Sequence, residues 1–203
     1  MKIELHHGDL PDKLDLGNVV AIDTETMGLD PHRDRLCLAQ LSSGDGTAHL
    51  VKFARNHFIA PNLCRLLANP DVEILFHFGR FDIAVMCHYL GVSAKPVYCT
   101  KIASKLVRTY TDRHGLKDLC RELLGVDISK EQQSSDWGAK ELSEQQMKYA
   151  ASDVLYLHEI KKKLDEILIR ENKLDIAKKC FEFLKTRSEL DLSGFDNLDI
   201  FAH

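Results

Sequence analysis

The tripeptide Asp23-Thr24-Glu25 stands at the end of an apolar run, Val19-Val20-Ala21-Ile22. Such a run reads as a short buried strand, and side chains two apart on a strand share a face. Asp23 and Glu25 are therefore expected side by side at the mouth of a sheet. Adjacent carboxylates repel unless positive charge lies between them, and no Lys or Arg follows until Arg33. A hard divalent cation supplies that charge. Taken alone, the pair also fits a solvated strand terminus or a turn.

Two further segments carry residue types of the same chemistry. In His77-Phe78-Gly79-Arg80-Phe81-Asp82 the acid falls just past a predicted strand, in the opening of a helix. By itself Asp82 fits an acid favoured by the helix macrodipole. In Tyr149-Ala150-Ala151-Ser152-Asp153 the tyrosine and the acid are four apart, hence on one face of a predicted helix. That pair alone also fits an ordinary, partly exposed contact. The order and spacing of all three segments together set them apart from chance.

The elements that must position these residues follow from periodicity. Lys2 to Leu5, Asn18 to Asp23, Arg35 to Leu41 and Thr47 to Phe53 read as strands, with a turn at Ser43-Gly44-Asp45-Gly46. Three consecutive strands with tight connections make an antiparallel meander. Pro61 to Ala68 is a predicted helix, with Pro61 in the first turn and Asn69-Pro70 as the stop. Glu73 to Phe78 is a predicted strand, and Phe81 to Leu90 a helix ended by Gly91. The remainder reads as mostly helical, clearest over Thr100 to Arg108, Leu116 to Leu124 and Ser143 to Glu171. Ser143 and Gln146 form a predicted capping box for the last.

Composition bounds the rest. A chain of 203 residues with 44% hydrophobic content can bury a full core and is expected to form one domain, residues 1–203. No apolar stretch approaches the roughly 18 residues of a membrane span. The start, Met1-Lys2-Ile3-Glu4-Leu5-His6-His7, lacks the apolar core of a signal peptide. Six scattered cysteines without a CxxC pair read as free thiols in a reducing, cytoplasmic setting. A net charge of −4 argues against general duplex binding, but not against a short anionic substrate held by metal ions. The tail from Leu190 onward combines acids with apolar Leu192, Phe195, Leu198, Ile200 and Phe201. It reads either as a frayed terminus or as a segment docked on its own body or on a neighbouring subunit.

From Asn18 to Ile160 the chain resembles the DEDD superfamily of 3′–5′ exonucleases, in the subgroup with tyrosine in the third motif that includes ribonuclease D. The resemblance extends through Lys130-x-x-Gln133-x-Ser135-Asp136-Trp137, then Leu142, Gln146, Tyr149-Ala150 and Asp153-Val154. The histidine subgroup carries its histidine five positions before the final acid, where this chain has Lys148. The resemblance implies an α/β, ribonuclease H-like fold, a mixed central sheet flanked by helices. It also implies two bound ions, Mg²⁺ or Mn²⁺, held by Asp23, Glu25, Asp82 and Asp153. Asp23 would bridge the ions, Glu25 would meet the terminal 3′-OH, and Tyr149 would hold the attacking water. A free tyrosine, with pKa about 10, is a poor base at neutral pH, which favours an orienting role.

Met27-Gly28-Leu29 follows the first acids. Gly28 permits close approach of backbone to a ligand. Leu29 sits where oligoribonucleases, related enzymes of very short RNA, place a leucine wedge between two bases; otherwise it is a loop anchor. His77, Gln133 and Trp137 are further candidates for substrate contact. Ribonuclease D carries helical domains behind its catalytic domain, whereas this sequence ends about fifty residues beyond Asp153. In this it resembles the short alphaproteobacterial nano-RNase C type, which acts on diribonucleotides and forms ring-like octamers. The expected activity is 3′–5′ hydrolysis of dinucleotides, the expected assembly a homo-oligomer. Trimming of tRNA or other structured RNA, and an inactive fold serving as a binding module, are the competing readings. The basic residues Lys101, Lys105, Arg108, Arg113 and Lys117 fit either a solvated face or a surface gathering phosphates.

Overall fold

The structure, a computed structural model, describes residues 1–129 and 131–203; Lys130 of the ribonuclease D-like stretch lies outside them. The sheet comprises β1 (Lys2–His7), β2 (Val19–Thr26), β3 (Leu36–Ser42), β4 (Thr47–Lys52), β5 (Glu73–Phe76) and β6 (Val97–Cys99). Its order is β1-β4-β3-β2-β5-β6. β2, β3 and β4 form the expected antiparallel meander, and β1, β5 and β6 add to it in parallel. The middle strands are apolar on both faces because both are covered: Ile22, Leu36, Leu38, Leu41 and Leu50 are fully buried. Burial of each such side chain contributes about 1.5–3 kcal/mol.

The helices are α1 (Pro61–Ala68), α2 (Arg80–Leu90), α3 (Thr100–Val107), α4 (Leu116–Leu119), α5 (Glu144–Leu155), α6 (Leu157–Arg170) and α7 (Leu174–Leu190). A π-helical turn, Cys120–Leu124, finishes the segment predicted as one helix from Leu116. The capping box at Ser143 is present, Ser143 Oγ accepting from the Gln146 N–H at 3.1 Å. Periodicity predicted one helix to Glu171, but Tyr156 breaks it, with φ −101° and ψ −6°. The break has a packing reason: α5 lies across β2, β3 and β4, whereas α6 packs mainly against α3. No Gly or Pro marks it in the sequence.

Two other expectations shift at functional places. The strand predicted to run through Phe78 stops at Phe76, because Phe78 takes a left-handed backbone, φ 69°. The tail packs on its own body: Arg80 Nε and Nη2 donate to Asp191 at 2.5 and 2.7 Å. Arg187 Nη2 donates to the Phe195 carbonyl at 3.0 Å, and His32 Nε2 lies 3.0 Å from the Leu192 carbonyl. Phe195, Leu198, Ile200 and Phe201 nevertheless stay exposed. Among the described residues every cysteine is free, and no helix is long and apolar enough to cross a membrane.

Candidate active site

The sheet register gathers the acids. On β2, Asp23 lies opposite Gln40 and Glu25 opposite Leu38, so both carboxylates project from the face that α5 covers. A bulge between Glu25 and Thr26 then turns the chain into the Met27-Gly28-Leu29 loop. Asp82 enters from the first turn of α2, and Asp153 and Tyr149 from α5. Ligand oxygens of Asp23, Glu25 and Asp153 lie within 4.8 Å of one another. Together with Asp82 they line a cleft of about 790 Å³.

Few neutral donors compensate this charge. Gln40 Nε2 donates to Asp23 Oδ2 at 2.7 Å, and Thr24 Oγ1 donates to Asp82 Oδ1 at 2.7 Å. Burial, and then the charges of Asp82, Asp153 and Glu25, hold Asp23 well above the usual carboxylate range. Burial with the charges of Asp153 and Asp82 raises Glu25 to about 9, and burial raises Asp82 to about 7. Crowded carboxylates of this kind are the donor set a hard cation takes: oxygen-only, convergent and short of positive charge. The residues therefore fit a divalent ion. Tyr149 is pushed well above its ordinary value by burial, then by Asp153, Glu25 and Asp23, so its hydroxyl stays protonated. That agrees with orientation and disfavours a role as base.

All the remaining sequence candidates reach the same cleft: Met27, Gly28, Leu29, His77, Gln133 and Trp137 line it. Their characters differ. Leu29 is 88% exposed, more than any other large apolar residue described, whereas Trp137 is 3% exposed. Trp137 packs against Tyr149 with ring centroids 5.9 Å apart and belongs to the small core of Leu38, Leu50 and Ala150. It therefore seats Tyr149 from behind. His77 Nδ1 bonds Thr100 Oγ1 at 2.9 Å, and Thr100 donates onward to the Phe76 carbonyl at 3.2 Å. Gly28 has a steric reason as well, since a Cβ there would collide with the Asp34 carboxylate.

Sequence reasoning passed over Phe78. It is 47% exposed, lines the cleft, and carries Lys101 Nζ over its ring at 4.1 Å from the centroid. Its positive φ costs on the order of 1–3 kcal/mol, and such strain concentrates at functional sites. Gly79 makes the turn possible, because a Cβ there would sit 2.6 Å from the Phe76 side chain. An aromatic before a glycine, between a strand and a helix, was the available signal. Of the basic cluster, Lys101 and Lys117 line the cleft. Arg108 is instead 1% exposed, donating to Ser104 Oγ at 3.0 Å and the Arg113 carbonyl at 2.8 Å, and paired with Glu122.

A mixed sheet that brings four acids and a tyrosine to one cleft is the layout of a nuclease, and the chain belongs to the 3′–5′ exonuclease family, which matches residues 7–169. The fold is the ribonuclease H-like fold of these exonucleases. Among particular relatives, ribonuclease D of Acidiphilium cryptum is 35% identical over 166 residues. That match takes in 82% of this chain and 42% of ribonuclease D, so the chain spans less than half of that relative. NrnC of Brucella melitensis, solved with bound Mg²⁺, is 55% identical with a TM-score of 0.96, and the match covers all of both chains. NrnC bound to pGG is 56% identical with a TM-score of 0.97, covering 100% of this chain and 99% of NrnC.

Proposed function

We propose that this chain is a metal-dependent 3′–5′ exoribonuclease that hydrolyses very short RNA, dinucleotides above all, to nucleoside 5′-monophosphates. The observation that carries the reading is the convergence of Asp23, Glu25, Asp82 and Asp153 beside a protruding Leu29 in one cleft. Its similarity to NrnC, which has been solved with Mg²⁺ and with pGG, supports the substrate class.

The four carboxylates would hold the ions, Mg²⁺ or Mn²⁺, two in number as the family resemblance implies. Bound there, such ions stabilise charge on the phosphate and lower the pKa of a water. The chain's own residues do the remaining work. Tyr149, backed by Trp137, would fix the direction of the attacking water. Glu25 would meet the terminal 3′-OH, as the family resemblance implies, while Gln40 and Thr24 fix the rotamers of Asp23 and Asp82. Leu29 inserts between the two bases, while Phe78 offers a ring against which a base stacks.

Residues 1–203 act as one exonuclease domain in a cytoplasmic setting and assemble as a homo-oligomer, an octamer on the nano-RNase C resemblance. The exposed Phe195, Leu198, Ile200 and Phe201 provide apolar contact surface for a neighbouring subunit. The deciding experiment is a set of time courses on 5′-labelled RNAs from the dimer to the heptamer, with matched DNAs, in Mg²⁺, Mn²⁺ and EDTA. Fast, metal-dependent cleavage of the RNA dimer is expected. Full activity in excess EDTA, or equal rates at every length, overturns the reading.

A further inference from the structure

Behind the wall of the acidic cleft lies a second and larger cavity, of about 1030 Å³. Met27 lines both. Gly138 stands on the ridge between them, so tightly that a Cβ there would lie 2.5 Å from Met27 Sδ and 3.0 Å from Arg35 Nη2. The second cavity has the opposite charge. Arg33, Arg35, Lys52, Arg55 and Lys140 line it, and Asp136 is the single acid among its described lining residues. In a chain of net charge −4 this is a marked segregation.

Little in the described structure neutralises these cations. Arg33 pairs with Asp34 at 2.8 Å. Arg35 donates to the Leu36 and Gly138 carbonyls at 3.4 Å, and Lys52 donates to the carbonyls of Ala139 and Lys140. Those carbonyls satisfy donors without cancelling charge, and they place the loop bearing Lys140 at the rim. Among the described residues, Arg55 and Lys140 have no ion-pair partner. Asp136 Oδ1 already accepts from the Gly138 N–H at 2.9 Å. With Arg33 paired to Asp34, the other four cations, Arg35, Lys52, Arg55 and Lys140, repel one another unless an anion enters, and guanidinium groups match the geometry of phosphate oxygens. Phe58 and Tyr89, half-buried with rings 4.8 Å apart, add aromatic surface to the lining.

We propose that this basin binds the phosphate of a 5′-phosphorylated nucleotide, supplied either as a free mononucleotide or by the 5′ stretch of an RNA whose 3′ end occupies the acidic cleft. The RNA source rests on the nuclease reading above; the mononucleotide source does not.

The test is a titration of the full-length protein with guanosine 5′-monophosphate by calorimetry, in EDTA so that the acidic cleft has no metal. Guanosine without the phosphate serves as control. Arg55→Glu combined with Lys140→Glu alters the basin without touching any described hydrogen bond of those side chains. The wild type should bind the nucleotide and not the nucleoside, and the double variant should bind about tenfold or more weakly. Should charge reversal disturb folding, Arg55→Gln with Lys140→Gln should shift affinity in the same direction by less. In Mg²⁺, an RNA source raises KM for the heptamer in the variant while the dimer is unaffected; a free-nucleotide source leaves both unchanged. Nucleotide affinity and heptamer KM both insensitive to the charge change would overturn the proposal. So would a variant that alters only particle size in light scattering, which would make the basin a contact between copies. Failure of the nuclease reading shows separately, as absent dimer turnover by the wild type in Mg²⁺.

Discussion

The two cavities flanking Met27 and Gly138 differ in how their charge is managed. In the acidic cleft, like charges are pressed together under α5 and partly buried, which shifts Glu25 to about 9. In the basic basin the cations stay nearer solvent and lean on carbonyls. Burial makes charge costly and so demands a counter-ion held in place, whereas exposure lets charge attract without commitment. One cavity is built to fix an ion, the other to draw an anion.

That contrast can be broken most severely on the acidic side. Asp23→Asn or Asp153→Asn should lower turnover of a dinucleotide by about a thousandfold or more, because a missing carboxylate removes metal and charge together. Circular dichroism should show the fold retained. A variant keeping a tenth of its activity would mean that the remaining acids suffice. Tyr149→Phe removes only a hydroxyl and should reduce kcat about ten- to hundredfold with KM little changed; single-turnover rates separate the two. Wild-type turnover would remove Tyr149 from the chemistry.

Smaller effects are expected from the apolar contacts at the mouth. Leu29→Ala and Phe78→Ala should each weaken dinucleotide binding by about 1–3 kcal/mol, mostly in KM, as loss of base stacking would. Equal affinities would return Leu29 to a loop anchor and leave the strained backbone of Phe78 without a substrate role. The gentlest probe is pH. In metal-free protein, Glu25 keeps a proton across the window from its ordinary 4.5 to about 9, while the unfolded chain has lost its own. The folded state then binds more protons, so stability falls as pH rises through that window. The melting temperature should decline accordingly, and Mg²⁺ should flatten the decline. A rising melting temperature would show that Glu25 is not held protonated in the fold.

What the sequence disclosed follows the same division. Asp23, Glu25, Asp82, Tyr149 and Asp153 were legible because strand and helix periods dictate which of them face together, and the family resemblance joined the segments. The capping box of α5 and the span of α1 were equally plain, being local. The break at Tyr156 was not, since packing of α5 and α6 on different elements decides it and no Gly or Pro announces it. Helix α7 and the short β6 were not marked out, and Phe78 escaped because a left-handed residue other than glycine has no composition signal. The basic basin assembles from separated stretches, Arg33 to Arg35, Lys52 to Arg55 and Lys140, so no charge run revealed it.

Gly79 has a consequence for how such a protein is surveyed. Its neighbour Phe76 would meet any added Cβ at 2.6 Å, so every substitution there forces the approach to α2, and hence Asp82, to move. A saturation screen scored on activity alone would rank position 79 beside the acids, though glycine supplies no atom to the reaction. Reading out folded yield alongside turnover would separate the two kinds of intolerance: variants at 79 would lose both, and variants at 23 or 153 would lose turnover and keep yield.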